Sequence, residues 1–163
     1  MRILGIDPGY AIVGYGIIEY NNGKLRPLDY GAVETPASLS TAERLIMIEE
    51  NVTQMVKEIE PDEIAIEELF FNTNITTGIK VAQARGVILL SCVKLCDKLF
   101  EYTPLQIKST VTGNGNAAKQ QVQFMVRSLL KLRETPKPDD AADALAAAIC
   151  HAYTARDVKR GLK

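Results

Sequence analysis

Hydrophobic and polar positions divide the chain into a first third with strand character and a remainder with helical periods. Residues 2–7 form a short apolar run that ends in an Asp-Pro-Gly turn, and residues 11–20 are rich in Val, Ile, Tyr and Gly. A third segment, 25–34, follows an Asn-Asn-Gly turn, and Pro27 makes it the weakest of the three strands. Short turns between three strands predict an antiparallel meander.

The period then changes to that of a helix followed by one buried strand. Ser40 and Glu43 have the spacing of a capping box. Apolar residues recur after it at helical spacing: Leu45, Ile48, Val52, Met55 and Ile59. Pro61 ends this helix, and residues 63–67 form a short apolar strand. Because a long helix precedes it, this strand can run parallel to the first through a crossover.

Residues 74–96 are helical in pattern but apolar on two faces. One stripe contains Ile75, Ile79, Ala82, Gly86, Leu89 and Val93, and the other contains Val81, Ala84, Ile88 and Cys92. A helix that is apolar on two sides is buried on both. One side can pack on the sheet, and the other requires a second layer or a second subunit.

The last third adds a strand at 99–103, a loop of small residues at 112–118, and two helices. Val122, Val126 and Leu129 mark the first of these helices, and the second spans about 139–155. The order βββαβαβαα predicts an α/β fold in which one mixed five-stranded sheet has helices on both faces. We expect a single domain over residues 1–163, since a chain of this length buries a sufficient core.

Composition narrows the class of protein. The chain is 47% hydrophobic and 24% charged, which excludes a disordered chain or a coiled coil. No apolar run approaches the ~18 residues of a membrane span. An acid and a turn stand where a signal peptide needs its apolar centre, so we expect a cytoplasmic protein. Its three cysteines, Cys92, Cys96 and Cys150, are then expected to be reduced and buried.

The net charge of -1 conceals an uneven distribution. Residues 1–100 carry 9 basic and 14 acidic side chains, whereas residues 101–133 carry 5 basic side chains and one acidic, Glu101. A basic tail begins at about residue 156. A polyanion can therefore meet a basic region although the whole chain is slightly acidic.

Carboxylates are predicted to converge at one edge of the sheet. Asp7 ends the first strand and Glu67 ends the fourth, and the carboxyl ends of neighbouring parallel strands are the usual place of α/β sites. Asp140 and Asp143 are three residues apart on the last helix and share one face. Asp139, four residues from Asp143, can share that face too.

Such a cluster suits a divalent cation. Like charges raise one another's pKa, and a bound cation removes that conflict. Ligands that are all oxygen favour Mg²⁺ or Mn²⁺ over Zn²⁺. Two such ions about 3.5–4 Å apart can activate a water and stabilise the leaving oxygen in phosphodiester cleavage. The lone histidine, His151, has no partners of a metal-ligating type, and we expect it to be structural.

These residues carry a resemblance that spans nearly the whole chain in order. The chain resembles the RuvC-type Holliday-junction endonucleases, members of the ribonuclease-H-like superfamily. The matching motifs are Gly5-Ile6-Asp7-Pro8-Gly9, Gly14-Tyr15-Gly16, Ala65-Ile66-Glu67 with Phe70, Gln83-Ala84-Arg85-Gly86, Gln106 with Lys108, and Asp140-Ala-Ala-Asp143-Ala-Leu. The resemblance implies a ribonuclease-H-like fold and a homodimer that nicks two opposed strands of a four-way DNA junction. It also implies Mg²⁺ as cofactor and the RuvA and RuvB branch-migration proteins as partners.

Carried over residue by residue, the family's functional positions fall on seven side chains. The catalytic and metal-binding acids match Asp7, Glu67, Asp140 and Asp143, and Asp139 is the rival to Asp140. The DNA-binding positions match Phe70, Lys108 and Lys119. The helix at 74–96 resembles the family's dimer-forming helix, which would account for its second apolar stripe.

Three other functions compete with this interpretation. An actin-like phosphotransferase shares the Gly14-x-Gly16 opening but needs a second lobe and a second phosphate loop, which the sequence lacks. A ribonuclease-H-like nuclease with another nucleic-acid substrate, such as a YqgF-type protein or an RNA–DNA hybrid cleaver, would have the same fold and metal site. A junction-binding module without catalysis requires a broken acidic set, but here all four positions hold carboxylates.

Overall fold

A computed structural model describes residues 1–69 and 75–159, apart from the side chains of 75–77 and 156–159. The described elements, in chain order, are β1 (Arg2–Asp7), β2 (Ile12–Asn21), β3 (Lys24–Glu34), α1 (Thr41–Ile59), β4 (Glu63–Glu67), α2 (Ile75–Val93), β5 (Leu99–Tyr102), α3 (Pro104–Thr112), α4 (Lys119–Leu129) and α5 (Asp139–Lys159).

The five strands form one mixed sheet in the order β3-β2-β1-β4-β5. Strands β1, β2 and β3 pair antiparallel, and β4 pairs parallel to both β1 and β5. The predicted meander and the predicted crossover through α1 are both confirmed. Pro27 lies in β3 at the edge of the sheet, where the lack of an N–H is tolerated.

Helices cover both faces of the sheet, as predicted. Alternate residues of a strand point to opposite faces, so in β1 Ile3 belongs to one core and Leu4 to the other. Residues of α3, α4 and α5 share the core of Ile3, whereas residues of α1 and α2 share the core of Leu4. The sheet is therefore the middle layer of three.

The structure contains one helix, α3, that the sequence pattern does not predict. It begins at Pro104, immediately after β5. Thr103 caps it through a capping box with Gln106, and Pro104 occupies its first turn. The helix ends at Thr112 and is capped by Gly113, whose φ of 79° is left-handed. Because α3 includes Thr112, the loop of small residues begins one residue later than predicted.

α5 is the central helix of its layer. Its alanines between 141 and 152 are buried, and their small side chains let the helix approach the sheet closely. His151, 1% exposed, lies within hydrogen-bond distance of two groups: the Tyr102 hydroxyl 2.7 Å from Nδ1 and the Glu63 carboxylate 2.6 Å from Nε2. It thus ties α5 to β4 and β5, which confirms its predicted structural role.

All three cysteines are free and buried, as expected. Within the described ranges, none of the helices combines the length and the apolar character that crossing a membrane requires.

Candidate active site

The first two carboxylates of the candidate site are positioned by the sheet. β1 and β4 run parallel, and Ile6 pairs with Ile66 in their register. The next residue of each strand is acidic, so Asp7 and Glu67 end neighbouring strands at the same edge. This is the convergence that the sequence predicted.

The start of α5 brings the other acids to this edge. A Cβ at Gly14 of β2 would lie 2.1 Å from the carbonyl oxygen of Asp140, so only glycine lets the first turn of α5 sit so close to the sheet. Gly14 itself pairs with Asp7 in the register of β1 and β2. The glycine of the Gly14-x-Gly16 motif therefore places Asp140 opposite Asp7, and Asp143 follows one turn later on α5.

The clustering of acids raises the pKa of Asp7 and of Glu67. Burial, followed by the negative charges of Glu67, Asp143 and Asp140, raises the pKa of Asp7 to about 8. Burial and the charge of Asp143 raise the pKa of Glu67 to about 7, although Lys108 and Lys119 act in the opposite direction. Such raised carboxyl pKa values indicate a site that is short of positive charge.

Lys119 supplies part of that charge. Its Nζ lies 3.2 Å from Asp143 Oδ2 and 3.4 Å from Asp139 Oδ2. Partial burial acts to lower the Lys119 pKa, but the two carboxylates outweigh it and the pKa is raised. Burial likewise raises the pKa of Asp143, with Lys119 opposing the shift. The first turn of α4 is thus fastened electrostatically to the first turn of α5.

Asp139 and Asp140 differ in their surroundings. The Asp139 side chain is 60% exposed and faces Lys119, and it is absent from the charges that act on Asp7. The negative charge of Asp140, by contrast, does raise the pKa of Asp7. The geometry therefore favours Asp140 over its neighbour as the member of the acidic set.

A cleft of about 230 Å³ opens beside these acids. Glu67 and Asp143 line one part of it, and Lys108 of α3 and Lys119 of α4 line another. Acidic and basic side chains thus face a common space, which is the arrangement expected where a phosphate group meets cations. The missed helix α3 is what carries Lys108 to this cleft.

The donor set fits a divalent cation by its chemistry, since carboxylate oxygens are the ligands that Mg²⁺ and Mn²⁺ prefer. In the described part of the chain, however, no group of three or more His, Cys, Asp or Glu side chains is already arranged to hold an ion. Lys119 contacts one oxygen of Asp143, its Oδ2, at 3.2 Å. The other oxygen of Asp143 remains a candidate ligand for an ion.

Two motif residues have structural partners. Arg85 forms an ion pair with Glu101, which joins α2 to β5. Gln106 closes the capping box of α3 by accepting the Thr103 N–H at 2.8 Å. Phe70, predicted to contact DNA, lies outside the described residues.

The raised carboxyl pKa values predict how stability depends on pH. In the folded protein Asp7 and Glu67 hold protons to about pH 8 and 7, whereas their ordinary values are 3.8 and 4.5. The folded state binds more protons between these limits, so the free energy of unfolding falls as pH rises through this range. We expect a loss of about 2 kcal/mol after discounting for solvent screening.

This dependence can be measured by urea denaturation in EDTA at pH 5 to 9. The Asp7→Asn variant should show a shallower decline, and added Mg²⁺ should restore stability most at the alkaline end. A free energy of unfolding that is constant over this range would contradict the assigned electrostatics.

Comparison with known proteins decides the family. The model of the family described as crossover junction endodeoxyribonuclease RuvC matches residues 3–151. The chain belongs to the RuvC family. The RuvC of Clostridioides difficile is 56% identical over 154 residues, covering 94% of this chain and 91% of that protein. The RuvC of Alkaliphilus oremlandii is 55% identical over 154 residues, covering 94% of each.

A solved RuvC structure shows the same fold. Thermus thermophilus RuvC in complex with a Holliday junction substrate superposes with a TM-score of 0.90 and 35% sequence identity, covering 99% of this chain and 97% of that one. The fold predicted from the sequence is therefore the RuvC fold, and the resemblance is confirmed as membership of the family.

Proposed function

We propose that this chain is a metal-dependent endodeoxyribonuclease that resolves Holliday junctions by paired nicks in opposed strands during DNA recombination and repair. The observation that carries the proposal is the convergence of four acids, Asp7, Glu67, Asp140 and Asp143, at one sheet edge of a RuvC-family chain. The relatives bear the name crossover junction endodeoxyribonuclease, and the T. thermophilus structure contains a Holliday junction.

The four acids are proposed to hold the cation, and Mg²⁺ fits best. When bound, the metal would activate a water and stabilise the leaving oxygen of the phosphodiester. The chain's own residues fix the geometry. The rigid strands β1 and β4 orient Asp7 and Glu67, and α5 orients Asp140 and Asp143. We expect in-line attack at phosphorus by a water, and the family resemblance implies a 5′-phosphate product that a ligase can seal.

Lys108 and Lys119 are proposed to bind the phosphates that flank the scissile bond. Both line the cleft with Glu67 and Asp143. An ammonium group at this place offsets the repulsion between the phosphates and the acids, and it can stabilise charge that develops on the scissile group. Phe70, three residues after Glu67, is proposed to stack on a base unpaired at the crossover, which is worth about 1–3 kcal/mol.

A homodimer is proposed on the outer face of α2. Ala84, Ile88 and Cys92 are buried against the rest of the chain, as the sequence predicted for one stripe. The opposite face exposes large apolar side chains: Ile79 at 54%, Leu90 at 54% and Val93 at 49%. A second copy of α2 would bury this face, and two active sites are what paired nicks in opposed strands require.

Leu90→Glu should therefore convert the dimer to a monomer. The buried charge would oppose its own symmetry mate across the two-fold axis, which is costly without a partner. Sedimentation velocity at micromolar concentration would show the change in mass. Ile46→Glu is the matched control, because Ile46 of α1 is 57% exposed and lies outside this face. A dimer that persists in Leu90→Glu would place the interface elsewhere.

Residues 1–163 are proposed to form one nuclease domain, since the helices on both faces pack on a single sheet. The resemblance extends the proposal to RuvA and RuvB as partners and to the cytoplasm as the place of action.

The proposed function is tested with a synthetic four-way junction, a matched linear duplex and an RNA–DNA hybrid, each incubated in Mg²⁺ or EDTA. We expect symmetric nicks in the junction only, dependent on Mg²⁺ and leaving 5′-phosphates. Cleavage of the hybrid instead would favour a ribonuclease-H-like activity on another substrate. Binding of the junction without nicks would favour a module without catalysis.

A further inference from the structure

A second cleft lies on α4, outside the candidate active site. Its volume is about 370 Å³, and it is formed by the loop after α3 and one face of α4. Its lining residues are Thr112, Asn114, Ala117, Gln120, Gln121, Phe124 and Met125. Neither the acidic set nor the proposed dimer face accounts for it.

The most exposed feature of this cleft is an aromatic ring. Phe124 is 64% exposed, more than any other large hydrophobic side chain in the described part of the chain. Its neighbours on α4, Val122 and Val126, are buried at 4% and 0%. Phe124 is therefore placed on the solvent side by the phase of the helix, and burial of this ring by a ligand would be favourable.

Two amide side chains, those of Gln121 and Asn114, line the cleft together with Phe124. The Oε1 of Gln121 accepts the Ala118 N–H at 2.8 Å, and the Oδ1 of Asn114 accepts the Asn116 N–H at 2.9 Å. With their acceptor oxygens engaged, both amides present mainly NH₂ donors to a ligand. Gln120 lies four residues before Phe124, on the same face of α4.

The chain segment that forms the cleft is basic in sequence, although the residues that line the cleft are uncharged. Residues 102–133 contain five basic side chains and no acidic ones. Arg127 lies three residues after Phe124 and is exposed, so the two share a face of the helix. At the other end Lys119, directly before Gln120, lines the active-site cleft. α4 thus contributes residues to both clefts, Lys119 to the active-site cleft and Gln120 and Phe124 to this one, on different faces of the helix.

We propose that the Phe124 cleft binds the minor groove of a duplex arm of the DNA substrate. A·T pairs present only acceptors in the minor groove, the N3 of adenine and the O2 of thymine, which match amide donors. Proteins that bind this groove combine Asn, Gln or Arg with an apolar side chain that contacts the sugars or bases. The proposal rests on the proposed function, since it names a contact to the same substrate.

Phe124→Ala should weaken binding of a four-way junction about tenfold, and the decrease should be similar at every salt concentration because no charge is removed. Arg127→Ala should instead reduce the salt dependence by about one phosphate contact. Fluorescence anisotropy with a labelled junction in EDTA, across a salt series, separates the two. Ile46→Ala, which removes a similarly exposed side chain from the opposite helix layer, should bind like the unaltered protein.

Hydroxyl-radical footprinting of the same complex reads the groove directly, because the radical attacks deoxyribose in the minor groove. A protected patch on a duplex arm should be present with the unaltered protein and lost in Phe124→Ala. Phe124→Leu keeps most of the apolar contact and should retain part of the protection. Unchanged affinity together with an unchanged footprint in Phe124→Ala would overturn the minor-groove proposal.

The two proposals fail in different ways. If the unaltered protein neither binds nor cleaves the junction, the proposed function is wrong. If it does both and Phe124→Ala does so equally well, only the minor-groove contact is wrong, and the cleft would then be a surface for a protein partner.

Discussion

Asp7→Asn should lower the rate of junction cleavage by roughly a thousandfold, which corresponds to a loss of about 4 kcal/mol of transition-state stabilisation. Asparagine has nearly the shape of aspartate but lacks the negative charge that a divalent cation requires. Asp7 is also the group on which the charges of all three other acids act. Its replacement should therefore remove the centre of the site without altering the sheet.

Binding of the junction should survive this substitution. Asp7 binds no phosphate, and removal of a negative charge near the DNA backbone lowers the repulsion between protein and substrate. The folded protein should become more stable at neutral and alkaline pH. Asp7, with a pKa of about 8 when buried, must either take up a proton on folding or ionise while buried, and asparagine does neither. Single-turnover cleavage in Mg²⁺ and anisotropy in EDTA measure the two properties separately.

Asp139→Asn is the matched control. The chemical change is the same and the residue lies in the first turn of α5, but Asp139 is exposed and does not act on Asp7. We expect less than about a fivefold loss of cleavage rate, whereas Asp140→Asn should resemble Asp7→Asn. Equal losses in Asp139→Asn and Asp7→Asn, or a loss of junction binding in Asp7→Asn as large as its loss of cleavage, would contradict the assigned set.

Gly5→Ala should have the largest effect on stability. A Cβ at this position would lie 2.0 Å from the carbonyl oxygen of Ala144 and 2.9 Å from the backbone nitrogen of Ala148. Because these are backbone atoms of α5, the helix itself must move away from β1. We expect a loss of about 3 kcal/mol in the free energy of unfolding and a decrease of about 10 °C in Tm.

Gly86→Ala provides the comparison for this prediction. Among the described residues of one chain, nothing lies within 4 Å of a Cβ at Gly86, and alanine is favoured over glycine inside a helix by about 0.5–1 kcal/mol. Because Gly86 lies on the proposed dimer face of α2, both substitutions are compared in the monomeric Leu90→Glu background. Urea denaturation followed by circular dichroism should thus show opposite signs for the two variants. Cleavage should fall in Gly5→Ala even below its Tm, since α5 carries Asp140 and Asp143. A Gly5→Ala protein as stable as the parent would show that α5 packs less closely than described.

The sequence predicted most of the sheet because strand signals are local. Alternating or continuous apolar runs between turn residues marked all five strands, and the long helix before 63–67 allowed that strand to run parallel to β1. From this pairing alone, Asp7 and Glu67 could be placed at one edge. The alanines around Asp140 and Asp143 are buried, and their small side chains are a signal in the sequence for a helix that packs closely on the sheet.

The sequence pattern did not predict the short helix α3. α3 has nine residues and weak apolar periodicity, although Thr103, Pro104 and Gln106 carry the start signals of a helix. The capping box was recognised at Ser40, where a long periodic run followed it, and missed at Thr103, where none did. The family resemblance identified Lys108 as a DNA-binding residue. The structure adds that Lys108 lies on α3 and lines the same cleft as Glu67 and Asp143.

The chemical groups, the strands and long helices, and the edge of the sheet at which the acids of β1 and β4 end could all be predicted from the sequence. These properties follow from local hydrogen bonding, periodicity and chain connectivity. Three further properties are visible only in the folded chain: Lys119 pairs with Asp143, the charge of Asp139 does not act on Asp7, and Phe124 is exposed in a cleft that amide side chains also line. Those properties depend on how closely α4 and α5 approach each other and the sheet, because contact distances and burial arise from packing between segments far apart in sequence.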